Sequence, residues 1–224
     1  PSGDGKSLLL SEQLCTTNPA LRKELAANMV RYCDAHPEVR TVSLSPNDGF
    51  GWCECEICSQ FYDKNLKGDL YNVSRHVYRA ENIYHRLIDD VGRQLHQVKP
   101  DINLTFFAYV NYSAPAPGFM LQKNTAVHFA QYWRCINHTS FDSLCPINSR
   151  YHEDLQKWIA AKTGGEVNIY EYFMGINLYV SLPMLHFKEM FDEVAYYNRI
   201  GVDGLLTQFS IRNFRPYGLN YYFM

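Results

Sequence analysis

The sequence predicts an α/β fold: a (β/α) barrel of the TIM type, with about five or six of the eight units present in this chain. Short β-branched and aromatic runs alternate with segments of helical periodicity, which is typical of a mainly parallel sheet covered by helices. The chain has 224 residues, 46% of them hydrophobic and 20% charged, enough for one substantial core. We therefore expect residues 1–224 to be a single barrel-type catalytic region, cut from a longer multidomain protein.

Helices are predicted where apolar residues recur at steps of three and four, or where a polar cap and a proline open a turn. The clearest runs from about Leu70 to Gln97, with one apolar face. The others run from Asn18–Pro19 to Pro37, from Arg150 to Ala161, onward from Pro183, and onward from Pro216.

Strands are predicted from runs rich in β-branched and aromatic residues. They are Thr41–Ser45, Asn103–Val110, Ala126–Trp133, Glu166–Phe173 and 205–210, with a weaker signal at Ser7–Leu10. The stretch 111–119 holds too much proline and glycine for a helix, so this crossover is expected to be a loop. A closed barrel needs eight strands, so we expect its first units upstream of this chain.

Composition excludes several classes of partner. The net charge is −2 and no stripe of lysine and arginine is present, which argues against nucleic acid and anionic membrane. No apolar run approaches the ~20 residues that span a bilayer. Aromatic residues make up 15% of the chain, with 17 tyrosines. They fill a large core or line a cleft for sugars, whose C–H faces stack on aromatic rings.

Two carboxylates are the candidate catalytic residues, because active sites of such barrels lie at the carboxyl ends of the strands. Glu171 lies between Tyr170 and Tyr172 at one strand end, where an apolar pocket would raise its pKa and suit a general acid. The alternative is that both tyrosines face the core and Glu171 points to solvent.

Asp48 follows another strand and is the predicted partner of Glu171. Glycoside hydrolysis requires two carboxylates about 5–10 Å apart, one as acid and one as base or nucleophile. The P-N-D-G sequence around Asp48 also suits a simple β-turn. Glu54, Asp69 and Glu81 are alternatives to Asp48.

The candidate substrate-binding residues are polar or aromatic and lie near the strand ends, where they would hydrogen-bond or stack on a sugar. They are Asn47, Trp52, Tyr109, Trp133, Arg134, Gln208 and Arg212.

Seven cysteines are present, and four of them form a candidate structural zinc site: Cys15, Cys53, Cys55 and Cys58. The C-x-C-x-x-C run also suits a disulfide in an exported protein, or thiols that only pack a loop. No cofactor is expected to be required for catalysis.

The stretch SLSPNDGFGWCECEIC resembles the bacterial family of domain of unknown function 4838, which overlaps glycoside hydrolase family 163. LCTTNP, CINHTSFDSLCPIN with Trp158, and GVDGLLTQ support this resemblance. It implies a barrel-type catalytic region in an exported multidomain protein, extracellular or periplasmic, and endo-β-N-acetylglucosaminidase action on N-glycans. It marks Asn47, Asp48, Gly49, the four cysteines and Glu171.

One position departs from the family pattern. Members are expected to carry a glutamate before the glutamine of the last strand, where this chain has Thr207 before Gln208. The first hypothesis is therefore a glycosidase acting on an oligosaccharide, with N-acetylhexosamine as a candidate component. The alternatives are an inactive carbohydrate-binding barrel, which Thr207 favours, and a zinc-dependent hydrolase.

Overall fold

The computed structural model describes residues 13–48, 51–67, 78–173 and 187–208. These residues form a mixed α/β fold around a parallel sheet of five strands that curls into half a barrel. The described helices are α1 (Pro19–Ala35), α2 (Glu56–Ser59), α3 (Glu81–Val98), α4 (Pro146–Ala160) and α5 (Phe187–Ile200), with a 3₁₀ turn at Val110–Tyr112.

The described strands are β1 (Thr41–Ser43), β2 (Asp63–Lys67), β3 (Tyr78–Arg79), β4 (Asn103–Ala108), β5 (Leu121–Gln122), β6 (Thr125–Ala130), β7 (Lys162–Thr163), β8 (Glu166–Glu171) and β9 (Gly204–Thr207). The main sheet has the order β1-β4-β6-β8-β9, and every neighbouring pair is parallel. A parallel sheet whose strands follow one another in chain order is compatible with an incomplete (β/α) barrel. Closure into the TIM type stays a prediction.

All five predicted strands of the main sheet are found, each shorter than predicted at its carboxyl end. The helix predicted from about Leu70 to Gln97 is wrong at Tyr78 and Arg79, which pair with β2, and α3 begins at Glu81. Residues 70–77 of this prediction lie outside the described part of the chain. Periodicity within one segment carries no information about such pairing. The predictions at Ser7–Leu10, Arg212 and Pro216 lie outside the described residues.

Helix α4 begins before the predicted Arg150. Cys145 is its N-cap residue and Pro146 is its first helical residue. Proline is well tolerated there, because an N–H at this position would have no partner within the helix. Among the described residues, no helix has both the length and the apolar character that crossing a membrane requires.

The two faces of the main sheet have different neighbours. On one face, Phe106 contacts Tyr84 of α3 and Trp158 of α4, and these rings are buried in the core. On the other face, Phe107 contacts His128 of β6 and Tyr170 of β8. We call these the helix-packed face and the inner face. Successive residues of a strand point to opposite faces, which sorts every side chain at the carboxyl edge.

The proline-rich crossover after β4 is a loop, as predicted, apart from the 3₁₀ turn. Trp158 donates its indole N–H to the Ser113 carbonyl at 2.7 Å, and the Ala116 amide donates to His85 Nδ1 at 2.9 Å. Burial lowers the pKa of His85 to about 3, which keeps the ring neutral and able to accept this bond. Two core side chains therefore replace the missing helix.

Candidate functional site

Four tyrosines form a continuous cluster on the inner face at the carboxyl edge of the sheet. The ring centroids of Tyr109 and Tyr132 are 5.6 Å apart, those of Tyr132 and Tyr172 5.3 Å, and those of Tyr170 and Tyr172 also 5.3 Å. Tyr109 follows β4, Tyr132 follows β6, and the other two lie at the end of β8. Three neighbouring strands thus contribute to one aromatic surface, which we call the tyrosine cluster.

Asp48 joins the tyrosine cluster from the loop after β1. Burial, and then the charge of nearby Asp48, raises the pKa of Tyr109. Asp48 itself is exposed. A solvent-accessible carboxylate beside several phenol rings has the donors, acceptors and apolar faces that a sugar ring requires.

Trp133 extends this surface at the rim. Its ring lies 4.6 Å from that of Tyr132, and the residue is 42% exposed. The position of its backbone is fixed, because the Trp133 N–H donates a hydrogen bond to the Tyr151 hydroxyl of α4 at 3.0 Å. The exposed indole is therefore held by a fixed backbone at the edge of the cluster.

Glu171 lies on the helix-packed face of β8 and is 1% exposed. Its Oε1 accepts from Tyr197 of α5 at 2.8 Å and from the Arg134 guanidinium at 3.1 Å. Its Oε2 accepts from the Tyr172 amide at 3.3 Å. These donors are those of a carboxylate fixed in place by an ion pair.

Arg134 joins Glu171 to a second buried acid, Glu193 of α5. The guanidinium makes two hydrogen bonds to Glu193, at 2.5 and 2.7 Å. Glu193 also accepts from the Ser140 amide at 2.8 Å and is fully buried. Glu193 was not predicted from the sequence, although its spacing of three from Met190 and four from Tyr197 puts it on the buried stripe of α5.

Burial affects the titration of two groups in this network, Glu193 and Tyr197. Burial raises the pKa of Glu193 to about 7, with Arg134 acting against this shift and Glu171 adding to it. Burial also raises the pKa of Tyr197, so its hydroxyl stays a donor. Gln131 donates to that hydroxyl at 3.0 Å, and the Ser140 hydroxyl shares a hydrogen bond with it at the same distance. The network connects β6, β8, α5 and the loop after β6.

The described contacts do not bring Asp48 and Glu171 together. Glu171 points toward α5, whereas Asp48 interacts with Tyr109 on the inner face. Their catalytic roles stay predictions. Of the alternatives, Glu81 is buried and paired with Arg79 at 2.6 Å, Glu54 is exposed, and Asp69 lies outside the described residues.

The predicted substrate-binding residues divide between rim and interior. Trp52 is only 6% exposed and packs against Tyr84 and Tyr112 in the core. The backbone of Asn47 is fixed by the Gln13 side chain, and its own side chain is exposed. Of the other predicted residues, Arg134 is buried, Trp133 and Tyr109 lie at the rim, and Gln208 is half-buried after β9.

The prediction that Cys15 lies close to Cys53, Cys55 and Cys58 is confirmed. Their sulfurs all lie within 4.8 Å of one another, and Cys15 Sγ is 3.8 Å from both Cys55 and Cys58. Tetrahedral zinc with bonds of ~2.3 Å places sulfurs about 3.8 Å apart. All seven cysteines of the chain are free thiols, so a disulfide does not explain the cluster.

The thiols of this cluster have unequal acidity. A hydrogen bond from the Cys58 amide lowers the pKa of Cys55 to about 7, because it stabilises the thiolate. Burial raises the pKa of Cys58 to about 12. Cys55 is thus more readily ionised than Cys58.

A family model described as a domain of unknown function, DUF4838, matches residues 2–224. No curated protein and no solved structure matches the chain.

Proposed function

We propose that this protein, which belongs to the DUF4838 family, binds an oligosaccharide at the tyrosine cluster and hydrolyses one of its glycosidic bonds. N-acetylhexosamine is the proposed sugar type. Asp48 is the proposed carboxylate that meets the sugar, and Tyr109, Tyr132 and Trp133 are proposed to position it. This reading is compatible with the resemblance between the SPNDGFGWCECEIC stretch and family 4838.

One observation carries the proposal: an exposed carboxylate beside a cluster of tyrosine rings at the carboxyl edge of a parallel sheet. Ligands of barrel-type folds bind at this edge. The rings offer apolar faces to sugar C–H groups, and their hydroxyls offer hydrogen bonds. Asp48 supplies the negative charge that a developing oxocarbenium ion attracts.

The proposed role of Glu171 has two versions. As the general acid, it would donate a proton to the leaving oxygen, which requires its side chain to leave Arg134 and Tyr197. As a positioning residue, it holds Arg134 and so fixes the loop that presents Trp133. The short bonds from Arg134 and Tyr197 favour the positioning role.

Paired variants test the proposal in the full-length protein on a panel of oligosaccharides with and without N-acetylhexosamine. We expect Asp48→Asn to lower hydrolysis by ~10²–10⁴-fold while binding survives, since the amide keeps the shape and loses the charge. Asp101→Asn is the matched control, because Asp101 is exposed at the amino end of β4. Equal activity of Asp48→Asn and wild type would remove Asp48 from the mechanism.

Glu171→Gln separates the two versions of Glu171. A general acid predicts a loss of ~10²–10⁴-fold in kcat with unchanged thermal stability. A positioning role predicts lower stability together with a smaller loss of activity that appears partly in KM. Measuring Tm and both kinetic constants on the same preparation distinguishes these results.

The second candidate is carbohydrate binding without hydrolysis. Thr207 favours it, because this chain has threonine where the family resemblance leads us to expect a glutamate. Asp48 is also the one carboxylate that the described contacts bring to the tyrosine cluster. Binding of a glycan without turnover on the whole panel would select this candidate.

For the four-cysteine cluster we propose structural zinc. Four thiolates close the coordination sphere and leave no position for water, which argues against the zinc-dependent hydrolase. We expect Cys53→Ser to lower the zinc content by one ion per chain and to weaken folding of the 51–58 loop, while Cys33→Ala changes neither. Elemental analysis and thermal unfolding measure both effects, and an unchanged zinc content would contradict the proposal.

A further inference from the structure

A second group of metal-binding side chains lies in the loop between β6 and α4. The ligand atoms of Cys135, His138 and Cys145 all lie within 4.8 Å of one another. Cys135 Sγ is 3.2 Å from His138 Nδ1. In sequence the three residues form a C-x-x-H-x₆-C pattern. None of them belongs to the tyrosine cluster or to the four-cysteine cluster.

One buried side chain holds the backbone of this loop. Asn148, with no exposed surface, accepts from the Cys135 amide at 2.8 Å. Its amide group donates to the carbonyls of Cys135, His138 and Thr139 at 2.9, 3.0 and 2.9 Å. The third ligand, Cys145, is the N-cap residue of the helix that carries Asn148. The ligand backbone is thus fixed before any metal binds, which lowers the entropy that binding must overcome.

We propose that Cys135, His138 and Cys145 bind a transition metal ion, Zn²⁺ by chemistry, with a water molecule as the fourth ligand. Two sulfurs and one imidazole are the donor set that zinc and similar borderline metals prefer. Binding replaces the two thiol protons: Zn²⁺ enters, two S–H bonds break, two Zn–S bonds form, and two protons go to solvent. The resulting two thiolates neutralise the charge of the ion.

The contacts favour a metal over two other uses of these residues. A disulfide would need sulfurs ~2.05 Å apart, and both cysteines are free thiols. A Cys135–His138 nucleophilic pair would need no third ligand, yet the buried Cys145 lies within the same short distances. His138 is exposed, so the fourth position of the metal faces the solvent side of the loop.

The metal would brace the loop that serves the candidate sugar site. Arg134 precedes Cys135 directly and binds Glu171 and Glu193. Trp133 precedes Arg134 and lies beside Tyr132. Ser140, between the ligands, is bonded to both Glu193 and Tyr197. Fixing the ends of this loop therefore fixes the rim of the tyrosine cluster as well.

Metal stoichiometry tests the site in the full-length protein, purified without chelator. We expect Cys135→Ser with Cys145→Ser to lose one metal ion per chain relative to wild type, by elemental analysis. Cys33→Ala is the control, since Cys33 is buried in α1 outside both clusters. The loss should be unchanged in a Cys53→Ser, Cys55→Ser background, which separates this site from the four-cysteine cluster.

Cobalt titration keeps the test decisive if the double variant fails to fold. His138 is exposed, so His138→Ala is expected to fold. It should weaken Co²⁺ binding at this site at least tenfold and alter the ligand-field spectrum, because one nitrogen ligand is lost. Full metal content in the cysteine variant, unchanged cobalt affinity in His138→Ala, or a Cys135–Cys145 disulfide in the protein as purified, found by mass spectrometry, would each overturn the proposal.

Discussion

The carboxyl end of β8 places an acid on one face of the sheet and tyrosines on the other, and the surroundings of the two faces differ. On the helix-packed face, Glu171 is buried and bonded to Arg134 and Tyr197. On the inner face, Tyr170 and Tyr172 contact other rings, and Asp48 near Tyr109 is exposed. One face is a closed ion-pair network, and the other carries an exposed carboxylate and largely half-buried tyrosines.

This difference separates charges that organise the protein from charges that can meet a ligand. A buried ion pair costs desolvation and is retained only with good geometry, so removing one member leaves an uncompensated charge. An exposed carboxylate stays hydrated in both the folded and the unfolded protein, so it loses little solvation energy on folding and is accessible to a substrate. A polar residue at a strand end therefore predicts function only when the face to which it points is known.

The largest expected effect on stability comes from removing the cation that Glu171 and Glu193 share. Arg134→Met leaves two buried carboxylates without a neutralising cation, which should lower the free energy of unfolding by about 3–5 kcal/mol. The control is Arg31→Met, because the Arg31–Glu24 pair is exposed and should contribute less than about 1 kcal/mol. Urea unfolding measures both. Similar small losses in the two variants would mean that the network is not a stabilising unit.

The next effect is a pH dependence from Glu193. Its pKa rises from 4.5 when unfolded to about 7 when folded, so the folded state holds the proton more tightly. Stability from this group is therefore present at low pH and is lost as pH rises from about 4.5 to 7. Glu193→Gln cannot titrate, so its unfolding free energy relative to wild type should increase across this range. A flat or falling difference would contradict the raised pKa.

The smallest effect concerns Thr207, which pairs with Glu171 across β8 and β9. Its hydroxyl is buried and finds no hydrogen-bond partner within the described part of the chain. Thr207→Val should therefore leave the free energy of unfolding unchanged or raise it by up to about 1 kcal/mol. Thr105→Val is the control, since the Thr105 hydroxyl donates to the Val42 carbonyl. Thermal unfolding should find the control variant the less stable of the two.

Local sequence signals predicted the parallel sheet and the family but not the faces of the sheet edge. The strand at 166–171 was predicted from its β-branched and aromatic residues, which report local propensity. The side to which Glu171 points depends on α5, and Glu193 and Tyr197 follow it by more than 20 residues. Periodicity marks a residue as buried without naming its partner.

The cysteine cluster was predictable for a different reason. Cys53, Cys55 and Cys58 lie within six residues, and their spacing limits the geometries that they can adopt. The second cluster was not, because Cys135 and Cys145 are separated by a loop whose path depends on Asn148. Trp52 was misjudged similarly: its position after β1 suggested the rim, whereas Tyr84 and Tyr112 enclose it.

Oligosaccharide affinity of two matched tyrosine variants tests most directly whether the inner face is the sugar site. Tyr132 lies in the tyrosine cluster, whereas Tyr196 of α5 stacks on Phe141 on the helix-packed side, and both are half-buried. By calorimetric titration of the full-length protein, Tyr132→Ala should weaken binding at least tenfold, or about 1.4 kcal/mol, and Tyr196→Ala should leave Kd unchanged. Equal losses in both variants, or a loss in Tyr196→Ala alone, would contradict the account.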